Sequence, residues 1–165
     1  MALHDTTLVV GAQSCSAAAS SGGCVHVFSY GSTSWKWNAL LTASVSSAGA
    51  FFGISVSLHD HLVIGAMHDS SNIEDTGAAY VFTNQHGTWT ESAKLTADDA
   101  TSGAQLGIAV STFGTCAVIG APAAQPESSG AVYRYCLSTG TLWPQVCYRP
   151  LLIVFDVSTG RQTDS

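Results

Sequence analysis

The chain has 165 residues, enough for one domain with a sizeable core, and 46% hydrophobic against 10% charged residues argues against intrinsic disorder. Eleven acidic against five basic residues give a net charge of −6, with no Lys/Arg patch to hold nucleic-acid phosphates or an anionic membrane surface. The longest strongly apolar run, LLIVF at 151–155, is far too short to cross a bilayer, and the opening MALHD has neither the basic start nor the apolar stretch of a signal peptide.

From the start of the chain, LHDTTLVVGA at 3–12 has an imperfect copy, LHDHLVIGAM, at 58–67, and the chain reads as entering at the second strand of its first unit. Cys15 and Cys24 then bracket the small-residue loop SAAASSGG. A disulfide closing that loop is physically reasonable; two free thiols are the other reading. A complete unit begins near Phe51. GISVSL alternates apolar and polar, as a half-buried strand does, and HLVIGA is a short β-branched run suited to a strand covered on both faces. The polar loop MHDSSNIEDTG follows, then the aromatic strand AAYVFT, the turn NQHG and a last alternating strand, WTESAKLTA. In the third unit Cys116 lies inside an apolar run and reads as a buried small hydrophobe. After residue 143 the pattern changes, and the tail 144–165 is expected to add a strand and turn, since IVFDVSTG echoes YRYCLSTG at 133–140. None of the five cysteines forms a CxxC pair, so a structural zinc site is not expected.

One period runs through these elements. Gly11, Gly65 and Gly120 each precede alanine at spacings of 54 and 55, Gly53 maps onto Gly107, and Phe28 maps onto Phe82 and Tyr135. Trp35, Trp89 and Trp143 fall 54 apart. Four short strands per unit, with no segment of helical period, predict an all-β chain of about three four-stranded antiparallel sheets. Such sheets bury both faces by stacking, so the expected architecture is a set of β-propeller blades, at about 1–50, 51–104 and 105–143. Gly65 and Gly120, with Gly11 at the same place in the period, end the central strand where a bulky side chain would obstruct either a neighbouring blade or the exit turn; Pro122 fixes that exit, and the tryptophans and Phe82 are expected to pack between blades. Three blades in an open arc leave edges exposed. The chain is therefore expected to be an incomplete propeller, either part of a longer one or covered by self-association.

Phe52-Gly53 with a downstream Gly120-Ala121-Pro122, the frame GAAYVF at 77–82 and AKLTA at 93–97 together resemble the FG-GAP repeat of the integrin α N-terminal propeller. The resemblance covers residues 3 to 143, with Gln13 and Met67 in place of the proline and Leu106 in place of the phenylalanine. It implies a β-propeller binding module in an extracellular or cell-surface setting. Some integrin-like blades bind calcium in an Asp-rich turn between their first two strands. Here that turn is Leu58-His59-Asp60-His61 or Thr112-Phe113-Gly114-Thr115, too poor in carboxylates for an ion that takes six to eight oxygens, so no cofactor is expected.

No catalytic motif is present: no G-x-S-x-G, P-loop, G-x-G-x-x-G or H-E-x-x-H. His59, Asp60, His61, His68 and Asp69 form the densest group of metal-ligand types, but His4-Asp5 repeats His59-Asp60 in the first unit, which favours a turn role. Asp98 and Asp99 in the connection between blades read as a solvated face. The segments 13–23, 67–76 and 122–129 differ in length and composition while the strands repeat, as loops free to specialise would. Asp69, Asn72, Glu74, Asp75, Gln125 and Glu127 are the candidate binding residues. The expected function is non-enzymatic recognition of a protein or surface ligand through rim loops. The alternatives are a propeller segment accompanying an enzyme domain absent from this chain, or a purely structural repeat.

Overall fold

The computed structural model describes residues 1–70, 74–124 and 130–136, and the backbone of 149–151. Every regular element in them is a strand. The first sheet holds β1 (Ala2–His4), β2 (Thr7–Ala12), β3 (Cys24–Tyr30) and β4 (Trp35–Leu41); the second holds β5 (Ser55–Leu58), β6 (Leu62–Ala66), β7 (Ala78–Gln85) and β8 (Thr88–Leu95). The third holds β9 (Ala109–Phe113), β10 (Cys116–Ala121), β11 (Ala131–Cys136) and β12 (Arg149–Leu151). In each sheet the strands lie in chain order and pair antiparallel, the arrangement of a propeller blade, and the three sheets do not close into a ring.

Ala2–His4 corrects the expectation that the chain enters at a second strand: three residues ahead of the Asp5-Thr6 turn suffice to pair Leu3 with Leu8, and the first blade has all four strands. The outer hairpins of the first two blades shift register at equivalent places, between Val27 and Phe28 and between Val81 and Phe82. Such a bulge tightens the twist of the outer strands.

The core consists of two layers between blades. Val9, Val25, Val27 and Leu41 of the first blade meet Phe52, Leu62, Ile64, Tyr80 and Phe82. Val63, Ala79, Val81 and Leu95 of the second meet Leu106, Ile119, Tyr133 and Tyr135. Alternate residues of one strand thus feed different layers, which is why HLVIGA is apolar without interruption and β6 is buried throughout. Each fully buried Val, Leu or Ile contributes about 1.5–3 kcal/mol.

Glycine sets how closely the second strand of a blade approaches the insert that leads to the next. A Cβ on Gly11 would overlap the Gly53 carbonyl oxygen, and one on Gly65 would overlap that of Gly107. Gly53 and Gly107 in turn donate from N–H to the carbonyls of Gly65 and Gly120 at 2.9 and 3.0 Å. Gly120, expected to share this crowding, does not: the nearest atoms to a Cβ there belong to Ala109 at 3.8 Å.

The tryptophans differ: Trp89 packs against the layer between the first two blades, as expected, and Trp35 does not. Trp35 is 42% exposed, its ring 5.2 Å from Tyr30, and Trp89 is half-buried at the margin of a core layer. Both lie at the start of a fourth strand, so they share a position; Trp35 has no described blade before it, and its burial is less. Trp143 lies outside the described residues. Cys116, expected as a free buried thiol, is bonded to Cys136, with Cα atoms 4.1 Å apart at a directly paired position of β10 and β11.

Candidate functional site

The loops between the second and third strands lie on one rim, beside the connections that lead to the next blade. Their backbone is stapled in place by bonds that repeat from blade to blade. Gly49, Phe51 and Phe52 donate from N–H to the carbonyls of Ser20, Ser21 and Gly22 at 2.9, 3.4 and 2.9 Å. One period later Gly103, Gln105 and Leu106 donate to Glu74, Asp75 and Thr76 at 3.2, 3.2 and 2.9 Å. Phe51 and Gln105 hold positive φ, 56° and 59°, to turn their amides toward the loop, a conformation costly for non-glycine residues and fixed here by those bonds.

Each loop also carries its own clamp at the same position. In the first blade Cys15 is disulfide-bonded to Cys24, with Cα atoms 5.5 Å apart, and its carbonyl accepts the Gly23 N–H at 2.9 Å. In the second, Asp69 takes the place of Cys15 and accepts the Gly77 N–H at 3.1 Å. The Asp69 carboxylate is buried, with Oδ2 accepting from the Tyr80 hydroxyl at 2.5 Å and Oδ1 facing Lys94 Nζ at 2.8 Å. Asp69 is therefore an internal anchor and not the exposed binding acid expected from the loop's polarity. Burial, followed by the bond to Asp69, pushes the Tyr80 phenol up, which keeps it a hydrogen-bond donor. Asp98 and Asp99 are exposed, as expected, and Asp99 also accepts from the Tyr133 hydroxyl at 3.0 Å.

What the second loop shows to solvent is smaller than its sequence implies. Asp75 Oδ1 lies 3.2 Å from His68 Nδ1, Ser70 accepts the Asp75 N–H at 2.9 Å, and Phe51 packs edge-on to His68 at 5.3 Å. Ser70 and Glu74 remain exposed, as do Gln13, Ser14 and Ser16 of the first loop. Asn72, Gln125 and Glu127 lie outside the described residues. The five residues of metal-ligand type between 59 and 69 are divided: His59 and Asp60 turn at the opposite rim, and Asp69 is committed to Tyr80 and Lys94. Among the described residues no group of three His, Cys, Asp or Glu side chains is arranged to hold a metal ion.

At that opposite rim the rings of His4, His59 and Phe113 form a column, with centroids 4.8 and 4.9 Å apart, at equivalent positions of three blades. The Phe52-Gly53 and Leu106-Gly107 dipeptides sit between blades, bridged in parallel to Gly23 and Gly77. The FG-GAP repeat matches residues 35–82 and 89–135.

The chain belongs to the FG-GAP repeat family. Each FG-GAP match starts on the fourth strand of one blade and ends on the third strand of the next, covering β4 to β7 and then β8 to β11. The FG-GAP unit is thus out of phase with the blade and contains the whole inter-blade connection with its Phe-Gly or Leu-Gly insert. No curated protein matches the chain. Among the described residues no helix is long and apolar enough to cross a membrane.

The period hid the Asp69–Tyr80–Lys94 cluster, because its equivalents are Cys15, His26 and Leu40 in the first blade. A carboxylate that replaces a cysteine at a repeat position is the signal that could have found it.

Proposed function

We propose that this FG-GAP chain is a non-enzymatic binding module that recognises a protein or surface ligand through the rim carrying 13–23, 67–76 and 122–129. The carrying observation is the repeated backbone staple between each loop and the following connection. It holds the described ends of the loops in place while Gln13 and Glu74 are exposed, and a pre-ordered loop loses little entropy on binding. FG-GAP repeats occur in propeller modules that bind other proteins, which supports the same reading. An extracellular or cell-surface setting fits two disulfides, which persist in oxidising compartments.

The test is capture of a partner by the intact chain and by the Gln13→Ser/Glu74→Ser variant, which leaves the clamps and the Ser16 and Ser70 hydroxyl bonds untouched. Loss of capture with an unchanged melting temperature is expected; equal capture by both would reject the rim. Calcium has no part in this proposal. The β5–β6 turn offers one carboxylate, Asp60, whose Oδ1 lies 3.3 Å from His59 Nδ1, and the β9–β10 turn has Gly114 and Thr115. Thermal unfolding is expected to be the same with millimolar calcium as with chelator, and a rise of several degrees would show that the ion binds.

A further inference from the structure

The large apolar side chains exposed among the described residues are distributed unevenly. Apart from Val45 they all fall in 1–40 or 108–118, and the second blade has none. The reason lies in the layers. In the first blade Leu8, Val10 and Phe28 occupy the positions of Leu62, Ile64 and Phe82, which are buried against the preceding blade; with no described blade before them they are only half-buried, and Trp37 beside Phe28 is 60% exposed. In the third blade Val118 is 41% exposed, although its equivalents Val9 and Val63 are buried against the following blade. These two faces are the two halves of one interface that the chain already makes twice.

We infer that the leading face of the first blade and the trailing face of the third dock on each other between two copies of this chain, head to tail. Two copies then supply six blades, within the range of about four to eight that closes a propeller. A face complementary to a different face on an identical molecule gives a ring when the rotation closes. Two details favour a second copy as the occupant. Phe113, 79% exposed at the open end of the ring column, meets His4 at its other end, which continues the His4–His59–Phe113 spacing across the contact. Arg134 stands where Val27 and Val81 are buried, and the leading face of the first blade places Trp37, paired with Phe28, at the position that is Glu91 in the second. A guanidinium against an aromatic face is attractive, so Arg134 on the trailing face is matched by Trp37 on the leading face.

The experiment is sedimentation velocity over a concentration series on the full chain, on Trp37→Asp, on Val118→Asp and on an equimolar mixture of the two variants. Both residues are exposed in the single chain, so far-UV circular dichroism is expected to be unchanged. The native chain is expected to sediment as a dimer and each variant as a monomer. The mixture is expected to regain a dimer, because one pairing of the two variants joins an intact leading face to an intact trailing face. A native chain that stays monomeric up to its solubility limit would overturn the inference and leave the faces to further repeats. A dimer that survives Val118→Asp, or a mixture that stays monomeric, would show that the contact is not head to tail.

Discussion

Tyr80 shows how one side chain joins two blades. Its hydroxyl donates to Asp69 of its own blade and contacts the Val45 carbonyl of the connection from the first blade at 3.3 Å, while its ring lies edge-on to Phe52 and under Lys94. Tyr80→Phe is expected to lower unfolding stability by about 1–2 kcal/mol, the cost of leaving a buried carboxylate short of a donor. Asp69→Ala is expected to cost more, about 3 kcal/mol, because it also removes the ion pair of the mostly buried Lys94 ammonium. Urea unfolding of both variants checks the order. Burial of His61 makes stability depend on pH. Burial lowers its pKa below the ordinary 6.5, with Asp60 opposing. As pH falls the unfolded chain takes up this proton first, so the stability contributed by neutral His61 is complete above pH 6.5 and is lost below it. Replacement by glutamine is expected to flatten the fall in melting temperature between about pH 7 and 5; an unchanged slope would assign it to other groups.

At the scale of elements, the phase difference between the FG-GAP unit and the blade has a mechanical consequence. Each FG-GAP unit contributes an outer strand to one sheet and three strands to the next, so covalent continuity ties every blade to its neighbour through the Phe-Gly or Leu-Gly insert. The glycines that receive the insert are therefore unequal. Gly65→Ala drives a Cβ into the Gly107 carbonyl and is expected to cost about 3 kcal/mol or more, since backbone in a packed layer cannot yield cheaply. Gly120→Ala meets only Ala109 and is expected to change stability by less than about 0.5 kcal/mol. Chemical denaturation of the pair measures the asymmetry, and equal losses would mean that the third blade is as crowded as the second.

For the whole molecule, the two disulfides act at different places in the stack. Cys15–Cys24 clamps a rim loop of the first blade, and Cys116–Cys136 ties two strands of the third. With sequence separations of 9 and 20, each is expected to stabilise the fold by about 3 kcal/mol through restriction of the unfolded chain. Calorimetry with and without reductant should therefore show a clearly lower melting temperature on reduction, and Cys116→Ser should reproduce part of that fall. An unchanged melting temperature in both would show that neither bond contributes.

The strands, their period and the blade repeat were legible in the sequence, because alternation, β-branched runs and glycine-alanine steps record what each segment needs locally. So was the close approach at Gly11 and Gly65, since the spacing repeats with the strands. Contacts across space were not. Val63 and Val118 have the same local setting, but among the described residues only the former has a blade against it; Asp69 reads as a loop acid until Tyr80 and Lys94 are brought to it from two other strands. Cys116 found Cys136 through strand register, and Trp35 kept its period while losing its cover. Local pattern determined which residues form strands and how often they recur. The neighbour across each layer, present or missing, decided which of them are buried, paired or left as a surface to be joined.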